Sequence, residues 1–116
     1  MPQALRGDVF KADLQPSEGS EQGGIRPVVV VSRDALNKFS PIVIVCSITG
    51  AENKTKIYPS HVKVSANTGG LSKDSIVLCE QVRAISKTRL KEQLGAFDKP
   101  IMTSIEAALK ITLDLP

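Results

Sequence analysis

The chain has no tryptophan, and its aromatic side chains are only Phe10, Phe39, Tyr58 and Phe97. RNA-binding domains often stack bases on rings, and few rings are available here for that. Histidine occurs once, at His61, which excludes a two-histidine acid–base pair. Cysteine occurs twice, as Cys46 and Cys79, without CxxC spacing. No zinc site is expected from them, and both thiols read as buried in a reducing cytosol. There is no GxxxxGK phosphate loop, no GxSxG nucleophile elbow and no carboxylate cluster suited to a metal. No window approaches the roughly 18 apolar residues of a membrane span, and the N-terminal stretch lacks a signal-like apolar core. The expectation is a cytoplasmic protein without a membrane partner or cofactor.

What is present suits one domain spanning residues 1–116. A domain of this size buries only roughly 65% of its unfolded-chain surface, so help from a second subunit would fit. The net charge of +3 permits a nucleic-acid partner without demanding one. Residues 8–14 alternate with period two, and so do residues 61–65. The runs "RPVVVVS" and "PIVIVCSIT" are β-branched without alternation, which implies burial on both faces or a barrel corner. "RDALNKFS" between them reads as a polar connection, and residues 75–86 as the longest strand. Ser86 is placed to cap a helix over "KTRLKEQL", with Leu90 and Leu94 at i, i+4 and Gly95 just beyond its end. Asp98 is placed to cap a second helix with Pro100 in its first turn. Ile101, Ile105, Ala108, Leu109 and Thr112 then form its apolar stripe. The fold class is mainly β, a small barrel or curved sheet closed by a C-terminal helix.

Three places could carry chemistry. Arg26 stands at the entrance of a valine strand, after the hinge Gly23–Gly24 and before Pro27. Its planar donors suit carboxylate or phosphate oxygens, so a structural ion pair and a ligand clamp are both open. Thr49 ends a strand just before Gly50, where hydroxyls ordinarily serve turns. Glu80, Gln81 and Arg83 interrupt a long apolar strand, as a binding face or as a satisfied internal network. By alternation Glu80 shares a face with Leu78 and Val82, and Gln81 with Cys79 and Arg83. His61 reads as a surface residue at a strand start.

The segment "RGDVFKADLQPSEGSEQGGIRPVVVVS" resembles the N-terminal signature of the MazF/PemK toxin family. The likeness continues through "NKFSPIVIVCSIT", "SHVKV" and "DSIVLCEQVRAISKTRL" to "EAALKITLDL", nearly all of residues 6 to 113. It implies an SH3-like barrel with a C-terminal helix, assembled as a homodimer. It implies ribosome-independent, sequence-specific cleavage of single-stranded RNA, chiefly mRNA. It also implies an antitoxin partner that inhibits by laying a disordered tail across the dimer groove.

Carried over by position, the resemblance makes Arg26 and Thr49 the catalytic core, with Glu21 and Gln22 on the loop beside them. Glu80, Gln81 and Arg83 match the strand lining the RNA groove, and Arg6 in the opening RGD is a further groove candidate. The chain departs from the pattern at Phe10, where Tyr or Trp is common, and at Ser20 and Leu78, where some members carry histidine and arginine. The implied chemistry is metal-independent attack of the 2′-OH on the adjacent phosphate, with Arg26 and Thr49 stabilising charge and Glu21 as base. Glu80 would pair with Arg83 or read a base edge. A CcdB-type gyrase poison and a non-catalytic SH3-like module are the rival readings.

Overall fold

The computed structural model describes residues 3–54 and 56–116. Six strands make one sheet: β1 (Asp8–Asp13), β2 (Ile25–Val30), β3 (Ile42–Gly50), β4 (His61–Val64), β5 (Ser75–Ser86) and β6 (Leu90–Ala96). Two helices complete the fold, α1 (Asp34–Phe39) and α2 (Lys99–Leu113). The strand order is β4-β5-β3-β2-β1-β6, and every pair is antiparallel. The sheet is open between β4 and β6. The turn around Gly69 and Gly70 lies against β6 there: a Cβ on Gly95 would come within 2.6 Å of the Gly69 carbonyl carbon. Helix α2 packs over β4 and β5. The result is the curved, helix-closed sheet expected from the strand pattern.

The unbroken valine and isoleucine runs are explained by two cores, one on each face. Val9, Val29, Cys46, Ile48, Val77 and Cys79 join Met102, Ile105 and Ala108 of α2 in one cluster. Phe10, Ala12, Val28, Val30, Val43, Val45 and Ile85 form the other. β1, β2 and β3 thus feed residues to both cores, and the unbroken apolar runs of β2 and β3 follow from that. Cys46 and Cys79 are both buried free thiols.

Helix α2 starts as its sequence predicts. Asp98 accepts a hydrogen bond from the Ile101 N–H at 3.1 Å, and proline occupies the first turn. Two other segments differ. Residues 34–39 form helix α1 rather than a plain connection, with the buried Asn37 amide donating to the Ser32 carbonyl at 2.9 Å. Residues 87–94 are not a helix. Ser86 does cap, accepting from Thr88 N–H, but only a 3-10 turn (Lys87–Arg89) follows before β6 begins. Leu90 and Leu94 then join different cores, because the β1–β6 pairing is irregular on both sides of Phe10. Gly95, placed by spacing at a helix end, is instead where the Gly69–Gly70 turn crosses β6 with no room for a side chain.

Candidate active site

Arg26 is the second residue of β2 and pairs with Ala12 of β1. The loop before it turns through Gly24 at φ +74°, a conformation glycine adopts without strain, and the Gly24 carbonyl accepts from Leu14 N–H at 2.9 Å. The Arg26 Nε donates to the Gly23 carbonyl at 3.0 Å. Its terminal nitrogens have no hydrogen-bond acceptor and no carboxylate within ion-pair distance among the described residues. One edge of the guanidinium is therefore anchored, and the two-nitrogen fork is left for something else.

Thr49 is the penultimate residue of β3, buried and paired with Ile76 of β5. Its Oγ1 accepts from Asn53 Nδ2 at 3.2 Å. Arg26 and Thr49 line the same cleft of about 350 Å³, together with Lys11, Glu52, Asn53 and Lys73 among its polar residues. Three cations and one carboxylate line this cleft, so its balance favours an anion. Lys73 bridges Glu52 at 3.0 Å, and Lys11 bridges Glu92 at 3.4 Å. Glu52 folds back over Gly50, and its own backbone N–H followed by Lys73 holds its carboxyl below the usual carboxylate range. A nearby N–H and ammonium both favour the charged form.

A second pocket, of about 310 Å³, is lined by Ser20, Glu21, Glu80, Gln81, Val82 and Arg83. It exists because β5 bulges. Between the pairs Val45–Arg83 and Ser47–Leu78, β5 carries the four residues 79–82 opposite Cys46 alone. The bulge alters the expected alternation: Val82 packs on the Cys79 cluster rather than sharing a face with Leu78. Gln81 staples the Arg26 loop to this bulge. Its Oε1 accepts from Gln22 N–H at 3.3 Å, and its Nε2 donates to the Ser20 carbonyl at 3.1 Å. Arg83 Nη1 and Gln22 Oε1 are buried without a hydrogen-bond partner, one open donor and one open acceptor.

The expected Glu80–Arg83 pair is not formed. Glu80 binds Ser60 Oγ through Oε1 and His61 Nε2 through Oε2, each at 3.0 Å. His61 is buried rather than a surface residue, because β4 pairs alongside β5 at this point. Its Nδ1 accepts from Tyr58 N–H at 3.2 Å, which leaves the Nε2 proton for Glu80. Burial pushes the Glu80 carboxyl up, but its own backbone N–H, His61 and Ser60 outweigh this and hold it below the usual range.

The site residues read from the sequence thus fall into three groups. Arg26 and Thr49 meet in the cationic cleft. Glu21, Gln22, Glu80, Gln81 and Arg83 gather at the β5 bulge, with the Glu21 carboxylate turned back to accept from Glu18 N–H at 2.7 Å. Arg6 joins neither. Its guanidinium bridges Glu106 of α2 at 2.9 Å and donates to the Val31 carbonyl, a tie between helix and sheet. Sequence reading, which drew RNA recognition from the loops at 15–24 and 50–57, gave Glu52, Asn53 and Lys73 no individual role. The polar turn "AEN" straight after a strand-ending threonine was the available signal.

Residues 5–113 match the family described as PemK-like, MazF-like toxin of type II toxin–antitoxin systems. The chain belongs to this toxin family. Solved structures agree in fold along the whole length of the toxin. An endoribonuclease bound to its cognate antitoxin, from a mycobacterial species, is 26% identical with a TM-score of 0.80, over 100% of this chain and 98% of that one. MazF of Deinococcus radiodurans is 26% identical with a TM-score of 0.79, over 97% and 96% of the two chains. The MazE–MazF complex of the same organism gives 25% identity and a TM-score of 0.78, over 100% of both chains.

Proposed function

We propose that this toxin is an mRNA interferase, an endoribonuclease that cuts single-stranded RNA at specific sequences without the ribosome. The observation that carries the reading is the convergence of an unpaired arginine fork and a strand-end hydroxyl in one cation-lined cleft. A phosphodiester supplies the two non-bridging oxygens such a fork binds. The 2′-OH of the nucleotide before the cut attacks phosphorus, the P–O5′ bond breaks, and the products end in a 2′,3′-cyclic phosphate and a 5′-OH. The reaction then needs no protein nucleophile. The Arg26 guanidinium, a fixed cation, stabilises the charge growing on the phosphate oxygens. The Thr49 hydroxyl adds a second donor.

The carboxylate lining this cleft is Glu52, so the 2′-OH proton goes to Glu52 rather than to Glu21. The 5′ oxygen takes its proton from a cationic donor of the cleft. Glu21 belongs with Gln22, Gln81 and Arg83 on the path of the flanking nucleotides. There Arg83 and Gln22, whose buried Nη1 and Oε1 lack a protein partner among the described residues, turn outward to meet base edges or backbone when RNA binds, and hydrogen bonding replaces the scarce aromatic rings. The same reading makes the toxin a cytoplasmic homodimer neutralised by a cognate antitoxin.

The test is incubation of purified protein with a long structureless RNA, followed by sequencing of the 5′-OH ends. Cleavage at a recurring short motif, without ATP or topoisomerase, is expected. Intact RNA with trapped gyrase–DNA complexes would make this chain a gyrase poison instead. Neither outcome would leave a binding module.

A further inference from the structure

We infer that Asn53 is a positioning residue, whose side-chain amide sets the direction in which the Thr49 hydroxyl donates. The inference rests on the cleft being the RNA-cleaving site. A hydroxyl has one hydrogen to give and two lone pairs to receive with. Asn53 Nδ2 fills one lone pair of Thr49 Oγ1, at 3.2 Å. The hydroxyl hydrogen cannot point at that N–H, and no described residue accepts a hydrogen bond from Oγ1. It is therefore left for the cleft, where Arg26 also presents its free nitrogens. Thr49 is otherwise well fixed: it is buried, β-branched and held in the β3–β5 ladder. Rotation of the O–H is the remaining freedom, and Asn53 narrows it.

The local chain makes this possible. After Thr49 the backbone passes Gly50 and makes one 3-10 turn, Ala51–Asn53, which brings residue 53 back over residue 49. The turn is pinned at both ends. Ala51 N–H donates to the Asp74 carbonyl at 2.9 Å, and Lys54 N–H donates to the Ala51 carbonyl at 3.2 Å. Asn53 is itself exposed, so its amide is not needed to fill the core. Among the described residues its one side-chain hydrogen bond goes to the threonine of the cleft.

Two substitutions separate this role from a structural one. Asn53→Ala frees the hydroxyl to rotate while leaving it in place. Asn53→Asp offers an acceptor where a donor stood, so it draws the Thr49 hydrogen away from the phosphate and sets a negative charge beside it. Steady-state cleavage of an RNA oligonucleotide carrying the mapped motif is to be measured for the wild type, both variants, Arg26→Ala, Thr49→Ala and the Thr49→Ala/Asn53→Ala double variant. Thermal melting accompanies each. Removing an oriented donor outright costs roughly 10²–10³ in rate, and losing only its orientation should cost about 10-fold. Asn53→Ala is expected to lower kcat by that amount, with KM and melting temperature unmoved. Asn53→Asp should fall further. In the Thr49→Ala background, Asn53→Ala should change nothing, because there is no hydroxyl left to aim.

Wild-type kcat in Asn53→Ala overturns the inference, and so does an equal loss in the Thr49→Ala background. Asn53→Asp matching or exceeding Asn53→Ala does the same. If Arg26→Ala and Thr49→Ala cleave as well as the wild type, the functional reading of the cleft fails and this inference falls with it.

Discussion

The cleft at the end of β3 and the pocket at the β5 bulge are neighbours built on opposite principles. In the cleft the donors are held at one end and left open at the other: Arg26 is anchored through Nε alone, and Thr49 receives a hydrogen bond without giving one. At the bulge the polar groups largely satisfy one another. Gln81 uses both ends of its amide on the Arg26 loop, and Glu80 uses both oxygens on Ser60 and His61. Groups with open donors are suited to stabilising charge that appears during a reaction. Groups already bonded to the scaffold are suited to fixing a shape that a ligand must fit, with the buried Arg83 Nη1 and Gln22 Oε1 as the unpartnered atoms. On the proposed function, chemistry belongs to the first region and recognition to the second.

The sharpest way to break that division is Arg26→Ala. It should lower kcat about 10²–10³-fold with the fold intact, as measured by single-turnover cleavage and thermal melting. A residual rate near wild type would leave the cleft without its main role. Glu52→Gln comes next, at roughly 10²-fold in kcat, the lower range for loss of a general base. An RNA bearing a sulfur leaving group in place of the 5′ oxygen should not restore this loss, since the missing step is deprotonation of the 2′-OH.

At the bulge, Gln81→Ala should act on binding. It strands the Gln22 N–H and the Ser20 carbonyl, so a rise in KM of about 10-fold and blurred motif choice are expected, with kcat little changed. A fall in kcat as large as that of Arg26→Ala would merge the two regions into one.

Glu80→Gln should have the smallest effect, a slightly lower melting temperature at neutral pH that converges on the wild type in acid. The Glu80 carboxyl is held below its ordinary value in the folded chain, so it stabilises the fold fully above the unfolded value of about 4.3. That contribution is lost as pH falls through the lowered folded value. The glutamine variant should therefore lose melting temperature less steeply than the wild type below about pH 5. With the carboxylate partly exposed, solvent screening keeps the difference small.

Much of this architecture was legible because it is local. The alternating strands, the twelve-residue β5 and the Asp98–Pro100 helix start all follow from neighbouring residues. The segment 87–94 was not, because a leucine spacing of four also suits a strand whose pairing shifts, and only the partner strand decides between them. Arg26 and Thr49 were legible as a pair through the family signature, whereas their meeting depends on β2 and β3 being adjacent. Glu21 was named through the family signature, and the direction of its carboxylate needed the folded loop. Gly23 and Gly24 separate it from Arg26, and its carboxylate folds onto Glu18. The His61–Glu80 bond was invisible without the β4–β5 register, which sets His61 opposite Leu78 beside the bulge. Asn53 was within reach, four residues past Thr49, but its direction back over the strand end needs the 3-10 turn.

The central claim is that the RNA supplies its own nucleophile in the Arg26–Thr49 cleft. It is tested most directly by an oligonucleotide carrying the mapped motif with one 2′-deoxyribose at the nucleotide before the cut. This substrate should bind as its all-ribose counterpart does and remain uncut, while the all-ribose RNA yields a 2′,3′-cyclic phosphate and a 5′-OH. Cleavage of the deoxy-substituted strand at the same bond would contradict the account.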